Sequence, residues 1–392
     1  MLKAIINIFS RELKSVAKDV NIISLIILAP VFYSLFYGSM YINKVERELP
    51  VVVLDNDRSE TSKSLLRRIN AHQIIDIIEN VPDYKSGIEA IQTGKAVAMI
   101  FIDNNFDSNI KLYKGATLKL YLNTNRFLPS NDINIAVNEA VIDYNTGIKL
   151  KFFELAGYSP EQAKELTEPL RYEVRSLFNF TESYGDFLVP GILILVIQQT
   201  LIIGLAESMA KEREENTLGG LNEMSRGNIF SMIQGKGALY LILYSAYSFF
   251  FFTFHYWLFN IKLEKSIFAL SVFTLLLIIA AIYFTIFIAS FFKRKIIALQ
   301  FLTLTTYPIF LISGYSWPAF CMPQWVKYAA GCLPSTPYLA AFTRITKMGA
   351  NIQQTMPELY HLLGLTIVLY LAAHLRLKSL TKKQISNNEV TQ

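Results

Sequence analysis

The run Val20–Ile42 contains no charged side chain, and this decides the solvent in which the chain folds. As a helix rising about 1.5 Å per residue it is long enough to cross a hydrocarbon core of roughly 30 Å. Comparable runs are Phe187–Ala206, Ala238–Phe259, Ser266–Phe292, Ile296–Gly314 and Leu359–Leu375. Six spans are therefore expected, the last one short and extended outward past Pro357. A chain of 392 residues with 52% hydrophobic and 17% charged residues, its apolar residues clustered in this way, is an integral membrane protein and not an ordinary soluble one.

Lys and Arg near the span ends give the orientation. Lys3, Arg11, Lys14 and Lys18 precede the first span. Lys211, Arg213, Arg226 and Lys236 lie between the second and third, and Lys293, Arg294 and Lys295 between the fourth and fifth. Arg376, Lys378, Lys382 and Lys383 follow the sixth. All four segments are expected in the cytoplasm, both termini included. Residues 43–186 hold 17 Lys and Arg against 21 Asp and Glu, although the whole chain carries +6. The excess of positive charge thus sits beside the membrane, where it sets topology, and calls for no nucleic-acid partner. The apolar core of the first span exceeds that of a signal peptide, and no small-residue cleavage site follows it, so it is expected to be retained. Residues 2–18 place Leu2, Ile5, Ile6, Phe9, Leu13 and Val16 on one side, as suits a helix lying on the inner membrane surface.

A hydrophilic insertion separates the first two spans. Residues 50–55 and 96–102 read as buried strands and 118–123 as a third, with helices at Glu60–Ile69 and Asp83–Thr93, giving a β-α-β-α-β alternation and a small α/β domain. A long helix follows with Ile133, Val137, Ala140, Val141, Tyr144 and Ile148 on one face. Ser159-Pro160-Glu161-Gln162 then opens another helix with a capping box. Asp55-Asn56-Asp57-Arg58-Ser59 begins like a calcium loop, but Glu60 and Leu66 stand where Gly and Glu are needed, and a turn is the expectation. Asn179-Phe180-Thr181 matches a glycosylation acceptor, a tripeptide common by chance. Four scattered histidines and no HExxH, CxxC or GxSxG pattern leave no hydrolase or metal constellation, so no catalysis and no metal site are expected.

The spans hold almost no internal ionisable residues, which disfavours ion-coupled transport, and His255 and His374 are expected at the interface. Gln234-Gly235-Lys236-Gly237 lacks the remainder of a phosphate-binding loop, so a nucleotide site belongs on another chain. After the second span, ESMAKEREENTLGGL (Glu207–Leu221) reads as a charged helical segment stopping at Gly219-Gly220.

Taken together, VPGILILVIQQTLIIGLAESMAKEREENTLGGL, QGKGALYL, SGYSWPAFCMPQW and CLPSTPYLAAFTRI resemble the marks of ABC-2 type permeases, in the same order and over nearly the whole chain. The nearest subset is that of bacterial exporters with a large extracytoplasmic domain between the first two spans. Asn216 stands where that family commonly has Gly. The resemblance implies a membrane half-transporter with no cofactor of its own. Two permease copies, identical or closely related, would sit above separate ATPase subunits that bind ATP and Mg. Arg213, Glu214, Glu215, Thr217 and Leu218 match the family's coupling region, and Arg11 and Glu12 lie on a segment similar to its elbow helix, a second candidate contact. Relatives with the large external domain often work with a periplasmic adaptor and an outer-membrane channel.

The expected fold class is therefore membrane α-helical. Residues 1–42 supply the surface helix and first span, 43–186 an inserted extracytoplasmic α/β domain, and 187–392 five further spans with re-entrant helices between spans five and six. The re-entrant expectation rests on Pro318, Pro323, Pro334 and Pro337, which forbid one continuous helix. Two short helices dipping into the outer leaflet satisfy the pattern, with Trp317 and Trp325 at headgroup level. In the resembling family this region closes the external end of the path, so Gly314, Pro318, Pro323, Trp325 and Pro334 are gate candidates, an ordered external loop being the plainer reading. Cys321 and Cys332 fall in the same region, on the side where a Gram-negative cell permits disulfides, and the sequence leaves bridge and free thiols both open. Phe187, Gln198, Gln199, Tyr307 and Phe310 are candidates for a substrate path facing the dimer axis. The expected function is export of a small amphipathic or drug-like compound across a bacterial inner membrane, with lipid around the spans. A membrane-anchored receptor or scaffold is the competing class, and it needs no ATPase.

Overall fold

The computed structural model describes residues 1–43, 46–112, 114–169, 177–179, 183–262 and 267–390, with side chains to Lys382. In chain order the helices are α1 (Leu2–Val16), α2 (Val20–Met40), α3 (Glu60–Asn70), α4 (Tyr84–Gln92), α5 (Phe106–Lys111), α6 (Phe127–Leu155), α7 (Pro160–Thr167), α8 (Tyr184–Glu214), α9 (Leu218–Met224), α10 (Ile229–Leu258), α11 (Ile267–Ala289), α12 (Lys295–Ile312), α13 (Gln324–Gly331), α14 (Ser335–Thr346) and α15 (Met356–Val390). The strands are β1 (Leu49–Asp55), β2 (Ile75–Asn80), β3 (Ala98–Ile102) and β4 (Leu118–Leu122). The chain divides into two compact units, Met1–Lys44 with Ser176–Gln392, and Val45–Arg175. The inserted unit is thus shorter than the expected 43–186, because α8 starts at Tyr184 as part of the helical unit. Of the expected features, the start of the fourth span at Ser266 and the Phe180 and Thr181 of the acceptor tripeptide lie outside the described residues.

In the inserted unit the sheet order is β2-β1-β3-β4, parallel except for the antiparallel β3–β4 pair. Alternation along β1 sends Val51 and Val53 to one face, with Leu65, Ile69, Ile133 and Val137. Val52 and Leu54 go to the other, with Val81, Ala90 and Met99. The edge strand β2 is absent from the sequence expectation, since Asp76 and Glu79 interrupt its apolar pattern. Ser59 caps α3 and Asp83 caps α4, each accepting from the backbone three residues on. The expected turn forms at Asp55, whose Oδ1 accepts from the Asp57 and Arg58 amides. The capping box at Ser159 and Gln162 is present.

Among the described residues, the helical unit contains six helices long and apolar enough to cross a membrane. The second, third and sixth run past the expected ends, whereas the first, fourth and fifth stop at Met40, Ala289 and Ile312, short of the expected Ile42, Phe292 and Gly314. The second continues to Glu214, the third begins at Ile229, and the sixth extends over Met356–Lys382 with Pro357 in its first turn. α8 is buried almost throughout, as a helix apolar on all sides must be. α12 is the opposite case, with Ile296, Phe301, Leu304 and Tyr307 exposed. His255, expected at an interface, is fully buried in a π turn of α10, its Nε2 2.8 Å from the Ser34 carbonyl oxygen.

Candidate functional site: the end of α8 and the broken segment after α12

The charged end of α8 is held from three sides. Helix periodicity puts Ser208 and Glu212 on one face, one turn apart, and Lys236 and Tyr240 likewise on α10. α1 comes close enough to complete the group because residue 235 is glycine: a Cβ there would lie 2.7 Å from Ile8 Cβ and 3.1 Å from the Ile5 carbonyl oxygen. Lys236 Nζ then sits 2.6 Å from Glu12 Oε2 and 3.0 Å from Glu212 Oε1. Arg11 grips Glu212 with both terminal nitrogens at 2.8 Å, and Thr217 donates to the same carboxylate. Glu12 Oε1 accepts from Ser208 at 2.6 Å and from Tyr240 at 3.2 Å. Two carboxylates and two cations thus neutralise one another in a buried site, the condition under which buried charge is tolerable.

A second set of contacts fixes the outer turn of α8. Arg213 donates to the carbonyls of Ser290 and Phe292, and the Lys295 amide donates to Glu214 Oε2 at 2.8 Å. Asp19 takes Lys211 at 3.0 Å and Lys295 at 3.5 Å. Burial works to raise the Asp19 carboxyl, and the Lys211 and Lys295 ammonium groups outweigh it, holding it below the ordinary carboxylate range. α8 ends at Glu214, followed by exposed Glu215 and Asn216, and Asn216 takes φ 57°, the left-handed conformation that Gly or Asn adopts at least cost. That explains a Gly-to-Asn exchange at this position. The helix therefore breaks at residues 215–217 and not at Gly219-Gly220, which lie inside α9.

The expected contact residues are redistributed by this geometry. Glu214 and Glu215 are exposed on the turn, whereas Glu12 is 1% exposed and Leu218 is buried, so neither presents a free side chain to another subunit. Arg11 and Thr217 are spent on Glu212 and Arg213 on the carbonyls before α12. Glu212, Lys236, Ser208, Tyr240 and Gly235 were not singled out from sequence as members of one site. The i,i+4 pairs Ser208/Glu212 and Lys236/Tyr240 were the available sign.

After α12, Gly314 takes φ 86° and the chain turns. Pro318, Pro323 and Pro334 each stand immediately before a short helix, at Ala319–Cys321, α13 and α14, where a missing N–H costs nothing. At about 12 and 18 Å, α13 and α14 are too short to cross a bilayer core. Trp317, Phe320, Trp325 and Tyr328 are exposed. Tyr315 stacks on Phe187 with ring centroids 5.2 Å apart and donates to the Phe187 carbonyl. Cys321 and Cys332 are exposed free thiols. Of the remaining path candidates, Tyr307 is exposed and Phe310 half-buried, whereas Gln198 and Gln199 are buried within the chain. Among the described residues no cluster of His, Cys, Asp and Glu is placed to hold a metal ion.

Comparison with known proteins follows the same lines. The family described as ABC-2 family transporter protein matches residues 21–375. The chain is similar to the probable multidrug ABC transporter permease YbhR of Escherichia coli (strain K12), 23% identical over 372 residues that cover 93% of this chain and 95% of the relative. It is also similar to ABC transporter G family member 20 of Dictyostelium discoideum, 22% identical over 276 residues that cover 66% of this chain and 35% of that protein.

Proposed function

The chain belongs to the ABC-2 transporter family, and we propose that it is the permease of an exporter that moves a small amphipathic or drug-like compound out of the cytoplasm or inner membrane. It is a multi-pass membrane subunit of an ABC transporter and not an enzyme, ATP being hydrolysed on a separate subunit. The multidrug description of its E. coli relative supports the substrate class.

The observation that carries the reading is the exposed Glu214–Glu215 turn on a helix end that is otherwise locked. An ATPase pressing on this turn meets no loose loop. Arg11, Glu12 and Lys236 tie the base of α8 to α1 and α10, and Arg213 and Glu214 tie it to the chain entering α12, so displacement passes to several spans at once. Arg11 and Glu12 act here as positioning residues behind the contact. Above the membrane, the turn at Gly314 and the proline-started helices form the external gate, re-entrant in the outer leaflet, with Trp325 and its exposed aromatic neighbours toward the headgroups. Phe187, Tyr307 and Phe310 line the path. Gln198 and Gln199 join it only in a conformation in which α8 turns or parts from its neighbours.

In this reading the chain lies in a bacterial inner membrane with both termini cytoplasmic and the α/β unit outside, as the basic residues beside the spans favour. Two permease copies pair. An adaptor and an outer-membrane channel dock on the external unit, and ATP and Mg stay with the ATPase. The test is transport in inside-out vesicles carrying the permease and its ATPase. ATP-dependent accumulation of a fluorescent amphipathic dye is expected; ATP hydrolysis without accumulation, or accumulation only in right-side-out vesicles, contradicts export.

A further inference from the structure

The inserted unit carries an apolar groove that the transport reading does not use. One hollow of about 250 Å³ lies among Leu65, Phe106, Ile110, Leu118, Val141 and Tyr144. A second, of about 380 Å³, lies among Phe152, Phe153, Leu166 and Pro169. Both are lined by Ile148 and Lys149, so the two hollows adjoin along one side of α6. From Val141 to Phe152 the helix rises about 16 Å, the length along which the two hollows lie. Each volume is at or near the lower end of the range for small-molecule sites, roughly 300–1,000 Å³. Phe152, Leu155, Tyr158 and Leu166 are exposed beside the second hollow. These side chains give the second hollow an apolar rim.

The polar features of the groove are few and of one sign. Lys149 stands where the hollows meet, is exposed, and has no ion-pair partner among the described residues. The nearby acids are occupied: Asp143 pairs with Arg68 at 2.5 Å and Asp107 with Lys111 at 2.7 Å. Tyr144 is held by the Thr61 carbonyl and lies under Arg68. We propose that this groove binds a single-chain amphiphile with an anionic head, its carboxylate, or an equivalent anion, on Lys149 and its alkyl chain running from there into the larger hollow at Phe152, Phe153 and Leu166. Charge complementarity selects the head, and the apolar lining of the hollow selects the alkyl chain. The inference is independent of the direction of transport and of the substrate path in the helical unit.

The test uses the full chain in lipid nanodiscs and a photoactivatable twelve-carbon carboxylate, with labelled peptides identified by mass spectrometry. Dodecanoate, dodecanol and dodecyltrimethylammonium serve as competitors. Labelling is expected on α6 and α7, displaced by dodecanoate at a concentration about tenfold below that needed for the neutral or cationic competitor, and about tenfold weaker in Lys149→Glu, the size expected for one charge-assisted contact. Lys149 is exposed, so this variant folds, and unchanged labelling of the transmembrane helices serves as the internal reference. Labelling confined to the transmembrane helices, which leaves the groove to a macromolecular partner, overturns the proposal. So does labelling of the groove that is indifferent to head charge or to Lys149→Glu.

Discussion

Lys236 of α10 and Glu12 of α1 form an ion pair at 2.6 Å, each about 1% exposed and 224 positions apart in the chain. Glu212 closes the group from α8, so one lysine joins three helices at the charged end of the helical unit. A brace of this kind ties α1 to the charged end of α8 and the start of α10.

Removing the lysine leaves the Glu12 carboxylate buried without a counter-ion, next to a Glu212 that keeps Arg11. Lys236→Met is expected to cost about 3–5 kcal/mol, the range for breaking a buried pair from one side. The double variant Lys236→Met with Glu12→Gln recovers part of that loss, since a neutral amide replaces the orphaned carboxylate. Thermal unfolding of the detergent-solubilised protein measures both. A single variant as stable as the parent contradicts the brace.

Gly235 and Gly219 make a matched comparison. Gly235→Ala pushes a methyl into Ile8 and the Ile5 carbonyl, and is expected to destabilise by about 1–3 kcal/mol and to lower transport-coupled ATP hydrolysis. Around Gly219 a Cβ meets nothing within 4 Å, and the residue lies inside α9. Gly219→Ala is accordingly neutral or stabilising by up to about 1 kcal/mol. The same melting assay with an ATPase readout separates the two sites, and equal effects refute close approach at Gly235.

Above the ordinary carboxylate pKa, Glu46 and Asp132 should make the inserted unit less stable as pH rises. Burial raises the Glu46 carboxyl, with repulsion from Asp132 adding to it, and burial likewise raises Asp132. Between the ordinary carboxylate pKa and these raised values the folded unit holds protons that the unfolded chain has released. Stability then falls with increasing pH across that window and stays lower above it. Asp132→Asn is expected to raise stability at neutral pH and to flatten this slope. Hydrogen exchange of the β1 and β3 amides reads it in the full chain; a variant less protected than the parent at neutral pH contradicts it.

The two thiols near the start and end of α13 are exposed and unbridged, so a maleimide should add twice to the folded, unreduced protein. Mass spectrometry decides it. No addition until a reductant is supplied would mean a bridge between Cys321 and Cys332.

What the sequence disclosed and concealed follows from how each feature is encoded. The spans were visible because a lipid-facing helix cannot hide charge, and the breaks at Pro318, Pro323 and Pro334 because proline suits only the start of a helix. The helix ends were less visible. Glu212 and Lys236 looked like membrane-flanking charges because their partners lie on other helices, so the run appeared to end where the helix in fact continued into an ion cluster. Glu12 was taken for a surface contact for the same reason. Gly235 was weighed only as part of a tetrapeptide that fails as a phosphate loop, because its role, contact with Ile8, depends on a residue far away in sequence. β2 was hidden by Asp76 and Glu79 on an exposed edge, and His255 by the absence of any local sign that the Ser34 carbonyl would meet it.

The central claim, that the ATPase acts on the locked end of α8, is tested most directly by a photo-crosslinking amino acid at position 215 in the complex purified from native membranes. The account predicts an adduct between the permease and its ATPase whose yield changes when ATP binds. A complex in which the ATPase co-purifies but position 215 gives no adduct would place the contact elsewhere and contradict it.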